Sequence, residues 1–210
     1  MLRSRGADLL FLPPVDELYP DGFVTRVQVP GVSVPLEGAR RPGHFDGVAT
    51  VVLKLFNIVQ PDVVAFGRKD AQQCAVIARM ARDLDVPVRL VFGETIRESD
   101  GLAMSSRNSY LTAEQREVAP VLHRALRAGE TALLAGSDRV EAIESAMRAV
   151  VAATPGVQID YLEIVDVSTF EKPEHFDRDL LLVGALLVGR TRLIDNILVR
   201  LESLTREGRV

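Results

Sequence analysis

The chain is 210 residues long, with 47% hydrophobic and 26% charged residues, the balance of an ordinary globular protein rather than a collagenous or low-complexity one. Lys and Arg total 25 against 29 Asp and Glu, and the resulting net charge of −4 offers no broad cationic footprint for nucleic acid or an anionic membrane. A single cysteine cannot close an internal disulfide, the longest apolar run (Leu180 to Val188) is far short of the roughly 20 residues that span a bilayer, and the start has no secretory apolar stretch, so a cytoplasmic protein of one or two domains is expected.

Asp8 to Leu12 reads as a short buried strand stopped by Pro13 and Pro14, and Phe23 to Val29 as a second strand after the turn signal Tyr19-Pro-Asp-Gly22. Glu37 to Phe45 is polar, carries two Gly and has no period, which predicts a loop. From Asp46 the spacing changes: Val48, Val51, Val52, Leu55, Phe56 and Val59 recur three and four apart, a helix with Asp46 as its cap and Pro61 as its stop. Asp62 to Phe66 predicts a buried strand, Asp70 to Leu84 a helix with Ile77, Met80 and Leu84 in one stripe, and Val86 to Phe92 another strand. Strand, helix and strand with short loops predict a parallel α/β unit whose ligands sit at the carboxyl ends of the strands. Residues 94 to 110 are polar and irregular, and 112 to 136 and 138 to 153 have helical spacing. Three β-rich runs follow, Gln158 to Val165, Leu180 to Val188 and Arg192 to Val199; the tight Gly189-Arg190-Thr191 turn makes the last two antiparallel. The second half therefore predicts a smaller α+β domain beginning near residue 94.

Two stretches can carry chemistry. In Phe66-Gly-Arg-Lys-Asp70, between a strand and a helix, Gly67 admits a ligand to the backbone, Lys69 suits phosphate oxygens, and Asp70 can cap the helix or meet a ligand; a plain solvated turn stays open as the other reading. Met104-Ser-Ser-Arg107 puts two hydroxyls, their amides and a guanidinium on a glycine-hinged loop, which can close over a polyphosphate or be an ordinary polar surface loop. Gln73 needs a partner, either a backbone carbonyl or a polar substrate. Cys74 reads as a packing residue, since no sequence-adjacent base activates it. Arg40, Arg41 and His44 form a third basic group that can hold a carboxylate or phosphate, whereas His123 and His175 receive no role. No His/Cys spacing suggests zinc, and there is neither a dinucleotide fingerprint nor a Walker-type loop.

Taken in order, Tyr19-Pro-Asp-Gly22, Leu36-Glu-Gly38, Arg41-Pro-Gly-His-Phe45, Phe66-Gly-Arg-Lys-Asp70 with Gln72-Gln73, and Asp100-Gly-Leu-Ala-Met-Ser-Ser-Arg-Asn108 resemble the pantoate–β-alanine ligase family. Asp160-Tyr-Leu-Glu163 and Thr191-Arg-Leu-Ile-Asp-Asn196 extend the likeness, which runs from about residue 6 to about residue 200. The resemblance implies a Rossmann-like, nucleotidyltransferase-type parallel sheet over residues 1–93 and a C-terminal α+β lid domain with a three-stranded antiparallel sheet over 94–210. It implies a two-step reaction: pantoate attacks the α-phosphate of MgATP to give pantoyl adenylate and pyrophosphate, and β-alanine then displaces AMP. Gly67, Arg68, Lys69 and Asp70 would contact ATP, with Lys69 on the phosphates, and Ile96 would line the adenine pocket. Met104, Ser105, Ser106 and Arg107 would form a mobile phosphate-gripping loop, with Lys69, Ser105, Ser106 and Arg107 as the catalytic group. Gln73 would bind pantoate, and Arg41 and His44 would lie near the β-alanine and phosphate end. Mg2+ would arrive with ATP, and a homodimer is the family expectation.

Two departures stand out. Arg68 occupies a position where the family usually has Glu. The family pattern also begins with a strand, a Met-Gly-x-x-His-x-Gly-His loop for ATP and a Phe-Val-Asn-Pro-x-Gln-Phe segment for pantoate, and no such segments occur in this sequence. A truncated or late-start ligase is therefore expected, with an incomplete sheet of nominal order 3-2-1-4-5 in which Leu9–Leu12 lacks a neighbour and Val63–Phe66 shows an open edge. The reading from a different class is a non-catalytic nucleotide-binding module that kept the phosphate loops.

Overall fold

Across the residues described by the computed structural model, 3–200 and 202, two separate sheets form, one parallel and one antiparallel. The first segment is irregular apart from short turns of helix, among them α1 (Val15–Leu18). The strands expected at Asp8–Leu12 and Phe23–Val29 do not form, and Leu9 and Leu12 are 82% and 79% exposed. Apolar, β-branched sequence makes a strand only where another backbone supplies ladder bonds, and no described strand pairs with either segment. The Val27 amide donates instead to the Thr50 hydroxyl, at 2.9 Å.

The loop expected at Glu37–Phe45 contains helix α2 (Glu37–Arg40) and the start of α3 (His44–Val59). Gly43 supplies the reason: at φ 76° it turns the chain into α3 two residues before Asp46. Asp46 therefore does not cap; its carboxylate accepts from Gln28 Nε2 at 2.9 Å. Strand β1 (Val63–Gly67), a 3₁₀ turn at Arg68–Asp70, helix α4 (Ala71–Asp83) and strand β2 (Arg89–Gly93) complete the expected parallel unit, paired in register from Val63↔Arg89 to Gly67↔Gly93. Asp70 makes no side-chain capping bond to α4. Val64, Phe66 and Leu90 pack with α3 and α4 residues around Phe56, Val76, Ile77 and Met80. The opposite face is open, with Val63 44% and Val91 40% exposed, so β1 is half-buried rather than buried as expected. Among the described residues β1 pairs with β2 alone.

Beyond β2, an Arg97↔Ala103 bridge closes a small hairpin, and a 3₁₀ turn holds Ser106–Tyr110. Pro120, lacking an amide, divides the helix expected at 112–136 into α5 (Ala113–Val118) and α6 (Val121–Leu134). Helix α5 opens with a capping box in which Thr112 and Gln115 satisfy one another's amides. Helix α7 (Val140–Ala152) leads into β3 (Val157–Asp166), β4 (Leu180–Val188) and β5 (Thr191–Val199), an antiparallel sheet in that order. The hairpin pairs Val188 with Thr191, and only Gly189 of its two-residue loop has positive φ, at 60°.

The unbroken apolar run of β4 has a structural cause. Leu180, Leu182 and Leu186 face the core shared with α6 and α7, while Leu181, Val183 and Ala185 face a second core with Leu36, Tyr161 and Phe170. The sheet is thus covered on both sides, by its own helices and by the segment carrying α2. Among the described residues no helix is long and apolar enough to cross a membrane.

Candidate functional site

Two clefts meet where β5 passes the end of β1. The first is lined among others by Glu37, Arg41, His44, Lys69, Gln73 and Asn196. The second is lined among others by Lys69, Ser105, Arg107, His123, Arg192 and Asp195. Lys69 belongs to both clefts. Its side chain is 20% exposed and its Nζ stands 3.8 Å from the Asp70 carboxylate. The two stretches singled out in the sequence, one opening a helix and one on a loop, are thereby brought to one place.

The individual positions differ in character. Gly67 is exposed, with nothing within 4 Å of where a Cβ would stand, so a ligand has room against its backbone. Ser105 accepts from the Arg107 amide at 3.2 Å, and the Arg107 guanidinium reaches the Arg192 carbonyl at 3.4 Å. Ser106 is exposed and lines neither cleft, with its carbonyl taken by the Ser109 hydroxyl at 2.7 Å. Ile96 and Met104 are 71% and 56% exposed and joined by a Met104 N–H to Ile96 carbonyl bond of 2.9 Å. Arg68 turns away from Lys69 to pair with Glu94 at 3.2 Å and lies over the Phe92 ring.

Arg41 donates to His44 Nε2 at 2.9 Å. Burial and then that guanidinium lower the imidazole's pKa, leaving His44 neutral at pH 7 with Nε2 as acceptor. The adjacent glutamines have separate work. Gln72, 5% exposed, donates to the Val32 and Pro35 carbonyls at 2.8 Å each and accepts from the Glu37 amide at 3.1 Å. Gln73 faces the first cleft. The backbone-carbonyl partner considered for Gln73 is thus realised one residue earlier. Cys74 is buried against the Gly67 carbonyl, and burial followed by Asp70 pushes its thiol up to about 11, consistent with a packing role.

Sequence reasoning missed the network that frames the clefts. Arg192 meets both oxygens of Glu37 at 2.7 and 2.8 Å and Asp160 Oδ2 at 2.8 and 3.0 Å. The Tyr161 hydroxyl donates to Glu37 at 2.8 Å, and Arg40 pairs with Asp160 at 3.1 Å. Burial raises the Glu37 pKa, but the bonds from Arg192 and Tyr161 outweigh it, so the net shift is downward. Its folded value lies below the unfolded one, so its contribution to stability is present above about pH 4.3 and disappears as pH falls through the folded value. Urea midpoints are therefore expected to drop on acidification below about pH 4.5, and Glu37→Gln is expected to flatten that drop. An equally steep acid dependence in Glu37→Gln would place the linkage elsewhere.

Comparison with known proteins covers most of the chain. A family model described as pantoate-beta-alanine ligase matches residues 1–198. The chain belongs to the pantoate–β-alanine ligase family. A pantothenate synthetase of Herpetosiphon aurantiacus is 54% identical over 200 residues, covering 95% of this chain and 72% of that protein. A pantothenate synthetase structure from Thermus thermophilus superposes with a TM-score of 0.89 at 47% identity, covering 93% of this chain and 71% of that one. A Francisella tularensis pantoate-β-alanine ligase, solved with β-γ ATP and β-alanine, matches at a TM-score of 0.70 and 32% identity, covering 94% and 67%. This likeness to ligases does not favour the reading of a non-catalytic module.

Proposed function

We propose that this chain is an ATP-dependent ligase that joins pantoate to β-alanine through pantoyl adenylate, the activity of its family. The observation that carries the reading is Lys69, placed in both clefts at once, with Gln73, Arg41 and His44 on one side and Ser105 and Arg107 on the other. In the first step a pantoate carboxylate oxygen attacks the α-phosphorus, a C–O–P linkage forms, the bond to the β-phosphate oxygen breaks, and pyrophosphate leaves. An anion attacking an anionic phosphate is opposed by charge repulsion. Lys69, the Ser105 hydroxyl and Arg107 counter it as donors set in the clefts before the charge moves, and Ser106, exposed beside them, joins from the same loop. In the second step the β-alanine amine attacks the acyl carbon, loses a proton, and the C–O bond to AMP breaks.

Each residue then has an assignment. Gly67 and the backbone at Arg68 give the triphosphate close approach, the Arg68 guanidinium being engaged with Glu94. Ile96 and Met104 offer an apolar lip for adenine. Gln73 hydrogen-bonds pantoate, and Arg41 with neutral His44 receives the β-alanine carboxylate. Mg2+ enters bound to ATP, with Asp70 the carboxylate nearest Lys69. We assign residues 1–93 to the nucleotide and pantoate unit and 94–210 to the lid-bearing unit, in a cytoplasmic homodimer.

The test is steady-state AMP release with pantoate, β-alanine and MgATP. Turnover should require all three, and MgATP binding without AMP formation would contradict the reading. Gln73→Leu is expected to raise the KM for pantoate about tenfold while the KM for MgATP stays within about twofold. Equal increases in both would remove Gln73 from the pantoate site.

A further inference from the structure

Strand β5 contains a feature that neither composition nor the ligation chemistry calls for. Its helix-facing side carries Leu193, Ile197 and Val199 in the core with α6 and α7, and Asp195 interrupts that apolar series while only 5% exposed. A carboxylate so placed needs strong partners, and Arg97 supplies two bonds, at 2.6 and 3.0 Å. Arg97 also donates to the Gly101 carbonyl at 3.1 Å, which ties the hairpin leading into Met104–Arg107 to β5. The next residue points to the other face of the strand, as strand geometry requires. There the Asn196 carboxamide donates to the carbonyls of Arg68 and Lys69, at 3.0 and 2.9 Å. The Asn196 backbone amide in turn donates to Asp195 Oδ1 at 2.8 Å, fixing the Asp195 carboxylate against the strand at Asn196.

We infer that Asp195 and Asn196 are positioning residues that hold the Lys69 turn and the Met104–Arg107 loop at a fixed separation, so that both grip one triphosphate. Adjacent residues on a strand act as a fixed ruler, because their side chains leave opposite faces at a set spacing. Asn196 satisfies two carbonyls that otherwise lack a side-chain partner, and it does so at the residue whose ammonium lines both clefts. The inference rests on the functional reading above but concerns how the two stretches are registered, which that reading does not specify.

The experiment is a double-mutant cycle on MgATP binding, followed by titration calorimetry, with hydrogen exchange as a second readout. Asn196→Ala is expected to weaken MgATP binding about tenfold in the parent chain and by less than about twofold in the Lys69→Ala background, because its effect passes through Lys69. Asn196→Asp should weaken it at least as much, since a carboxylate cannot donate to two carbonyls. Binding within twofold of the parent, or an equal loss in both backgrounds, overturns the inference. Hydrogen exchange decides the placement without any ligand: amides of residues 68–71 should exchange at least about tenfold faster in Asn196→Ala, with α6 and α7 unaltered. Unchanged exchange at 68–71 overturns the inference even if MgATP binds, whereas failure of the parent to bind MgATP with exchange altered as expected rejects the functional reading alone.

Discussion

Replacing Lys69 by Ala is expected to lower kcat/KM for MgATP by about two to three powers of ten, with the thermal midpoint nearly unchanged. The side chain is four-fifths covered, yet among the described residues its only ion-pair neighbour is Asp70, at the loose distance of 3.8 Å. A cation held in place but weakly neutralised is suited to charge that arrives with a substrate. Its removal takes away a cation that lines both clefts. Lys69→Arg should recover part of the loss, because charge persists while the planar guanidinium cannot reproduce the position of a single ammonium. Steady-state rates over a range of MgATP concentrations measure both variants. A Lys69→Ala enzyme within threefold of the parent would sink the assignment of the phosphate end.

Arg192→Ala is expected to be strongly destabilising, by about 3–5 kcal/mol. The guanidinium is 21% exposed and the Glu37 side chain 11%, so removing the cation strands a covered carboxylate. Asp160 loses its partner at the same stroke, although Arg40 remains beside it. The expected readout is a lower urea midpoint with an unaltered slope. Arg192→Lys should restore only a minor part, since an ammonium cannot face two carboxylates in the forked geometry that the guanidinium adopts. The penalty should shrink as pH falls, because burial without the guanidinium favours the protonated Glu37 carboxyl, which no longer needs a cation. A loss under 1 kcal/mol, or one that does not vary with pH, would show that the network contributes little beyond packing.

The elements that were legible in the sequence are those whose signal is local. The periodic apolar positions of α3, α4 and α7, and the apolar runs of β1 and of β3 to β5, identify elements to within a few residues, whereas α5 and α6 read as one helix. The misjudged segments failed for want of neighbours. Asp8–Leu12 has strand composition, but no described strand lies beside it, and its amides and carbonyls therefore stay outside any ladder. At α3, Gly43 in the left-handed region set the first turn, a backbone event that the charge pattern at Asp46 does not reveal.

The candidate site divides along the same line. Lys69 and Met104–Arg107 were visible as residue types suited to phosphate, on segments of the kind that place them at a strand end and on a loop. Glu37 and Arg192, 155 residues apart, were not visible as partners, and neither was the assignment of Gln72 to the backbone and Gln73 to the cleft. A helix turns successive side chains by about 100°, so two identical neighbours acquire opposite environments only when something packs against one of them. The sequence by itself determined which residues could do the chemistry and the periods on which their elements are built. The tertiary structure alone decided which of them meet, because covering both faces of the β3–β5 sheet brings Glu37 and Lys69 against Arg192, Asp195 and Asn196.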